Sequence, residues 1–294
     1  MRMELKHGAL LGAVDTHGGE LLSLRDGAGT EYIWQGDPAF WAGRNPLLFP
    51  IVGNLKDGQV AFGDRVCTMN RHGFARTSEF AVTGQTDDRV VLELTDTPDT
   101  LERYPYPFRL RVEHTLTDTG FSTMFTVTNT GTVPMPFCIG AHTAFNCPLR
   151  AGERFEDYDI VFDRPEHAGT MLLTPDGLLR DGATEPLLEG TDRFPLDRAL
   201  FARLDTVILQ DLTSAGVSLR NRVTGSGVHM DFPGFPMIAF WTKSGAESPF
   251  ICLEPWHGCA AAVGERGQFS DKPHVITLAP GEEKSLRYTV SILA

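Results

Sequence analysis

The sequence predicts an all-β chain, a large antiparallel β-sandwich, on three observations. Apolar and polar residues alternate with a period of two in one segment after another, as in strands with one face on a core and the other in water. No long amphipathic helical pattern competes with them. The 30 glycines and 19 prolines fall mostly between the alternating runs, at Gly18-Gly19 and within 117–120, 129–134, 224–227 and 279–283. Glycine tolerates positive φ and proline pre-sets a turn value, so these are places where the chain reverses. Many short strands spaced by turns indicate a sandwich or barrel; we expect two large sheets packed face to face.

In chain order, RVVLEL (89–94), FRLRVEHTLT (108–117) and FSTMFTVTNT (121–130) alternate as half-buried strands. LTPDGLLRDG (173–182) reads as a meandering loop, and 191–204 has room for a helical turn or two. GVSLRNRV (216–223) places Val217, Leu219 and Val223 on one face. In LRYTVSI (286–292), Leu286, Tyr288, Val290 and Ile292 oppose Arg287, Thr289 and Ser291. No linker, charge run, low-complexity stretch or repeat divides the chain, so residues 1–294 are expected to form one domain.

Hydrophobic residues make up 41% of the chain, enough for a sizeable core. The net charge of −12 repels phosphate backbones and anionic bilayers, which argues against nucleic-acid and membrane partners. Five cysteines, Cys67, Cys138, Cys147, Cys252 and Cys259, occur without any C-x-x-C. An odd number without that spacing suggests free thiols in a reducing compartment. No segment approaches the roughly 18 apolar residues of a membrane helix, and the N-terminus lacks a signal-type apolar run, so a cytoplasmic location is expected.

Four segments break the strand pattern by setting polar residues among apolar, glycine or proline neighbours, and such local rule-breaking is where sites are expected. In WAGRNPLLFPIVGNLKDG (41–58), Arg44 and Asn54 bracket the apolar run Leu47 to Val52. MNRHGFARTSEF (69–80) holds His72 between Arg71 and Arg76, cations that disfavour a metal and suit hydroxyl or anionic groups. In FCIGAHTAFNCPL (137–149), His142 stands alone in apolar surroundings; it is either a core histidine or an acid on a pocket floor. In FICLEPWHGCAA (250–261), Glu254 ends an apolar strand beside Trp256. A carboxylate there is costly to desolvate, so it is paired or functional, and burial moves its pKa up towards that of a useful base. The indole face of Trp256 suits the C–H face of a sugar. His114 shares a face with Leu110, Val112 and Leu116, which marks it as a core or wall residue.

Together these segments resemble the aldose 1-epimerase, or galactose mutarotase-like, family. The resemblance rests on LFPIVG (48–53), HGFAR (72–76), GAHTAFNCP (140–148) and EPWHG (254–258), in family order across most of the chain. It implies a β-supersandwich that interconverts the anomers of a free aldose. It implies Glu254 as general base, His142 as general acid, His72 near the ring oxygen and Asp205 on sugar hydroxyls. It departs from the family at Asn54, where many relatives have arginine; Arg44 is a candidate to supply that charge, and Arg76 and Trp256 complete the expected binding set. The chemistry needs an ionised carboxylate and a protonated imidazole together. Histidine's ordinary pKa near 6.5 allows this, and a nearby carboxylate is expected to raise it. No cofactor is required, and no H-x-H or H-x-x-x-H spacing suggests a metal. The expected partner is a small aldose, with the chain acting as a monomer or homodimer. Two other readings are a hexose-phosphate 1-epimerase, with Arg71 or Arg76 on the phosphate, and a non-catalytic carbohydrate-binding protein.

Overall fold

The expected alternation is realised in two large antiparallel sheets. They are seen in a computed structural model that describes residues 1–245 and 247–293. The larger sheet has nine strands in the order Leu179–Pro195, Tyr158–Leu173, Gly216–Asn221, Gly227–Asp231, Glu283–Leu293, Gly120–Asn129, Phe108–Leu116, Arg89–Thr95 and Ala81–Gln85. The smaller has six. Thr206–Gln210, Met237–Trp241, Phe250–His257, Ile139–Ala141 and Leu47–Leu48 lie in that order, and Thr143–Asn146 also pairs with Phe250–His257. A three-stranded N-terminal sheet, Arg2–His7, Leu10–Asp15 and Glu20–Arg25, packs against Phe108–Leu116.

One contiguous core fills the space between the layers, with Phe49, Phe74, Tyr104, Phe108 and Phe137 in ring contact. Two short α-helices occur among the described residues. Thr97 caps Pro98–Arg103 by accepting the Thr100 N–H, with proline at the first position. Asp197 caps Arg198–Leu204 through the Ala199 N–H.

Three expectations are corrected. Residues 173–182 are not a meandering loop. Only 174–178 turn, closed by the Thr174 N–H donating to the Leu178 carbonyl and the Leu178 N–H donating to Thr174 Oγ1, and strands run on either side as a long hairpin. Register shifts along that hairpin break the period-two signal, and most of its outer strand faces water. Val223 is 89% exposed rather than buried. The strand ends at Asn221, whose Oδ1 accepts the N–H groups of Val223 and Thr224 and turns the chain. Within 121–130, residues 125–129 have no wet face; all are buried.

His114 is a core residue. Its Nδ1 lies 2.9 Å from Thr123 Oγ1 and its Nε2 2.8 Å from the Gly19 carbonyl, and burial lowers its pKa to about 4. Truncation would strand both partners in the interior, at about 1–3 kcal/mol for each unsatisfied group. His114→Ala should therefore lower unfolding free energy by about 2–4 kcal/mol in urea titrations and leave turnover intact. A variant as stable as the parent would remove His114 from the core's polar framework.

Candidate active site

Strand Phe250–His257 is buried along its length up to Trp256, which explains the unbroken apolar run in its sequence. Its side chains alternate. Ile251 and Leu253 join the core between the sheets, whereas Phe250 and Cys252 join a separate aromatic cluster with Trp34, Trp41 and Trp241. Glu254 follows on that second face.

On one flank this strand pairs with Ile139–Ala141 and Thr143–Asn146, matching Gly140 to Trp256 and Thr143 to Leu253. The register is the same on both sides of His142, which interrupts the pairing, so His142 stands opposite Glu254. Its Nε2 lies 3.3 Å from Glu254 Oε1, with both side chains almost fully buried. Small residues let the flanking strands approach closely here. Ala239 faces Glu254 across the other flank, and Gly140 faces Trp256. A Cβ at Gly140 would lie 2.8 Å from the indole and 2.9 Å from the Pro255 carbonyl.

The third floor residue, His72, is 2% exposed and adopts φ +68°. Its backbone N–H donates to the Gly53 carbonyl, and its Nδ1 accepts the Gly53 N–H at 3.0 Å. The next residue can only be glycine: Gly73 has φ +76°, and a Cβ there would fall 2.2 Å from the Phe49 carbonyl oxygen. Arg71 Nε donates to His72 Nε2 at 3.1 Å, so both ring nitrogens face donors, and a neutral imidazole with its single acceptor nitrogen satisfies one of them at a time. The His72 and His142 rings are perpendicular, with centroids 5.7 Å apart.

Aromatic rings flank His142. The His142 ring lies 4.9 Å from Trp41 and 5.7 Å from Trp241. Burial pushes Glu254 well above the usual carboxyl range, opposed by the Arg71 charge and the nearby Trp256 indole. Burial also pushes His142 well below 6.5, assisted by the charges of Arg71 and Arg76. The expected upward shift of His142 is thus reversed, because desolvation and two cations outweigh the neighbouring carboxyl.

The remaining candidates fall at different depths. Arg76 is half-buried, and its charge reaches both histidines. Asp205 is exposed at φ +62°, at the head of Thr206–Gln210, and its charge raises the Glu254 pKa. Arg44 turns its guanidinium towards Gly36, while its backbone N–H donates to Glu20 and its carbonyl accepts from Ala144. The cation that acts on both members of the pair is therefore Arg71, which the sequence suggested, with Arg76, for hydroxyl or anionic groups. Asn54 donates to the Asp176 carbonyl at 2.7 Å and ties the 174–178 turn to this side of the molecule. Trp41, Trp241 and Cys252 went unnoticed as site residues. The period-two spacing of Phe250, Cys252 and Glu254 was the available signal for Cys252.

Among the described residues, both Glu254 oxygens, His142 Nδ1 and Trp256 Nε1 are buried without a hydrogen-bond partner. The 3.3 Å approach of the pair lacks hydrogen-bond alignment. Native interiors pair nearly all such groups, so this convergence indicates a site completed by a polar ligand. The same floor brings ligand atoms of His142, Cys252 and Glu254 within 4.8 Å of one another.

A model of the family described as aldose 1-epimerase matches residues 1–291. The chain is 39% identical over 300 residues to the chromosomally encoded protein LacX of Lactococcus lactis subsp. lactis, with both chains covered in full. It superposes with a TM-score of 0.92 on a galactose mutarotase-like protein from Lactobacillus casei, at 31% identity over 99% of this chain and 100% of that one. A galactose mutarotase related enzyme from Lactobacillus acidophilus gives a TM-score of 0.93 at 26% identity, over 100% and 98% of the two chains.

Proposed function

The chain belongs to the aldose 1-epimerase family, and from that membership and the site geometry we propose that it interconverts the α and β anomers of a free aldose. It does so as a single domain, by opening and reclosing the sugar ring. The observation that carries this reading is the buried, unaligned Glu254–His142 pair, both of whose members hold unpaired polar atoms.

The pair shares one proton. Burial favours the neutral arrangement, with the carboxyl protonated and the imidazole neutral. Transfer of that proton across the 3.3 Å gap yields the carboxylate and imidazolium without changing the proton count. Sugar hydroxyls, Arg71 and the Trp256 N–H supply the polar contacts a carboxylate needs. Glu254 then takes the C1 hydroxyl proton while His142 protonates the ring oxygen. The C1–O5 bond breaks, the aldehyde rotates about C1–C2, and the ring recloses on its other face with the roles reversed. Arg71, and His72 in its Nε2–H tautomer, donate towards the oxygen that gains negative charge. Asp205, Arg76 and Trp256 complete the sugar contacts, and Arg44 and Asn54 support the site through the backbone and the 174–178 turn. Polarimetry on fresh α-D-glucose and α-D-galactose tests the reading; an unchanged decay of optical rotation rejects it, and sugar binding without rate enhancement would leave a binding protein.

Arg71 beside His72, with Arg76 behind, favours one second reading, a phosphorylated aldose as substrate. A kcat/KM for glucose 6-phosphate well above that for glucose would establish it.

The rate should follow a bell-shaped pH profile whose limbs belong to the pair as a unit. Protonating the one-proton pair removes the base at low pH, and losing the shared proton removes the acid at high pH. The Arg71 charge depresses both pKa values, so Arg71→Gln should move both limbs of kcat/KM to higher pH. Unmoved limbs would place that charge too far from the pair to matter.

A further inference from the structure

We propose that His142, Cys252 and Glu254 bind one thiophilic divalent cation, of which Zn²⁺ is the archetype, and that this cation and the sugar exclude one another. Cys252 and Glu254 are two residues apart on one face of Phe250–His257, and His142 faces Glu254 from the neighbouring strand. One ligand atom from each lies within 4.8 Å of the other two. A single ion with bonds of about 2.0–2.3 Å to oxygen, nitrogen and sulfur requires ligand separations below about 4 Å, within reach of small side-chain rotations.

The donor set selects the ion. One sulfur, one imidazole nitrogen and one carboxylate oxygen suit zinc or cobalt and do not suit magnesium or calcium, which take oxygen. Three protein ligands leave a fourth position for water. A second observation points to a ligand here: both Glu254 oxygens and His142 Nδ1 are buried and unpartnered among the described residues, with Glu254 1% and His142 6% exposed. Charge also balances. Binding releases the thiol proton and the carboxyl proton to water, and a dication with one thiolate and one carboxylate carries no net charge in an apolar interior. Arg71 and Arg76 oppose any cation on this floor, so cations without affinity for thiolate should stay out.

Binding stands on this geometry alone; exclusion of sugar rests on the proposed function. Co²⁺ serves as the probe, because a cobalt–thiolate bond gives an intense near-ultraviolet charge-transfer band. Titration of the chelator-treated protein should yield that band with one equivalent per chain. It should vanish in Cys252→Ala, or in Cys252→Ser if the alanine variant fails to fold, and excess Mg²⁺ should not suppress it. No band at one equivalent, or a band that survives in the folded variant, overturns the site. With an active enzyme, Zn²⁺ should inhibit competitively with sugar and be reversed by EDTA, and its inhibition constant should rise at least about tenfold in the variant. Non-competitive inhibition overturns the exclusion. A cobalt band in a protein without anomerase activity would sustain the cation site and reject the function.

Discussion

Glu254→Gln lowers kcat for anomer interconversion by about 10²–10⁴-fold, the usual contribution of a positioned acid or base, and leaves the fold in place. Glutamine keeps the volume and polarity of the side chain in its tight setting beside Ala239, so packing has no reason to change. What disappears is the ability to exchange a proton with the C1 hydroxyl. The buried carboxyl has no hydrogen-bond partner to lose among the described residues, so the melting temperature should stay close to that of the parent. Polarimetry or NMR exchange between anomers, with a thermal melt of the same sample, measures both. A variant that turns over at the parental rate would end the assignment of Glu254.

His142→Ala should cost a similar or larger factor in kcat, and here stability moves as well. The imidazole is in ring contact with both Trp41 and Trp241. Its removal opens a cavity between them worth about 1–3 kcal/mol. His142→Gln fills more of that space and separates the two effects: it should recover much of the stability and little of the rate. If either variant kept normal turnover and only melted earlier, His142 would be a packing residue. Because neither variant retains the shared proton, combining Glu254→Gln with His142→Ala should cost far less than the product of the single effects.

Much of the sheet architecture was legible because its strands expose one face. Leu286, Tyr288 and Val290 are buried while Arg287 is exposed. The long hairpin was not legible, since register shifts and a mostly wet outer strand erase the two-residue period. His142 and Glu254 stood out as polar groups in apolar surroundings, and His72 by its place between Arg71 and Arg76. Their meeting did not, because register between strands far apart in sequence has no local signature. Arg71 and the tryptophans Trp41 and Trp241 are positioned by chain that pattern alone does not place. The direction of the His142 shift depends on how dry that aromatic box is, which only packing reveals.

The strand pairing that sets His142 against Glu254 carries an evolutionary consequence. Loops around this molecule can lengthen or shorten freely, but inserting one amino acid within Phe250–His257 would rotate the following positions half a turn. Leu253 or Pro255 would then take the place of Glu254 opposite His142, and the carboxyl would point into the core between the sheets. A change of length in the paired segments would therefore break a juxtaposition that point substitution leaves in register.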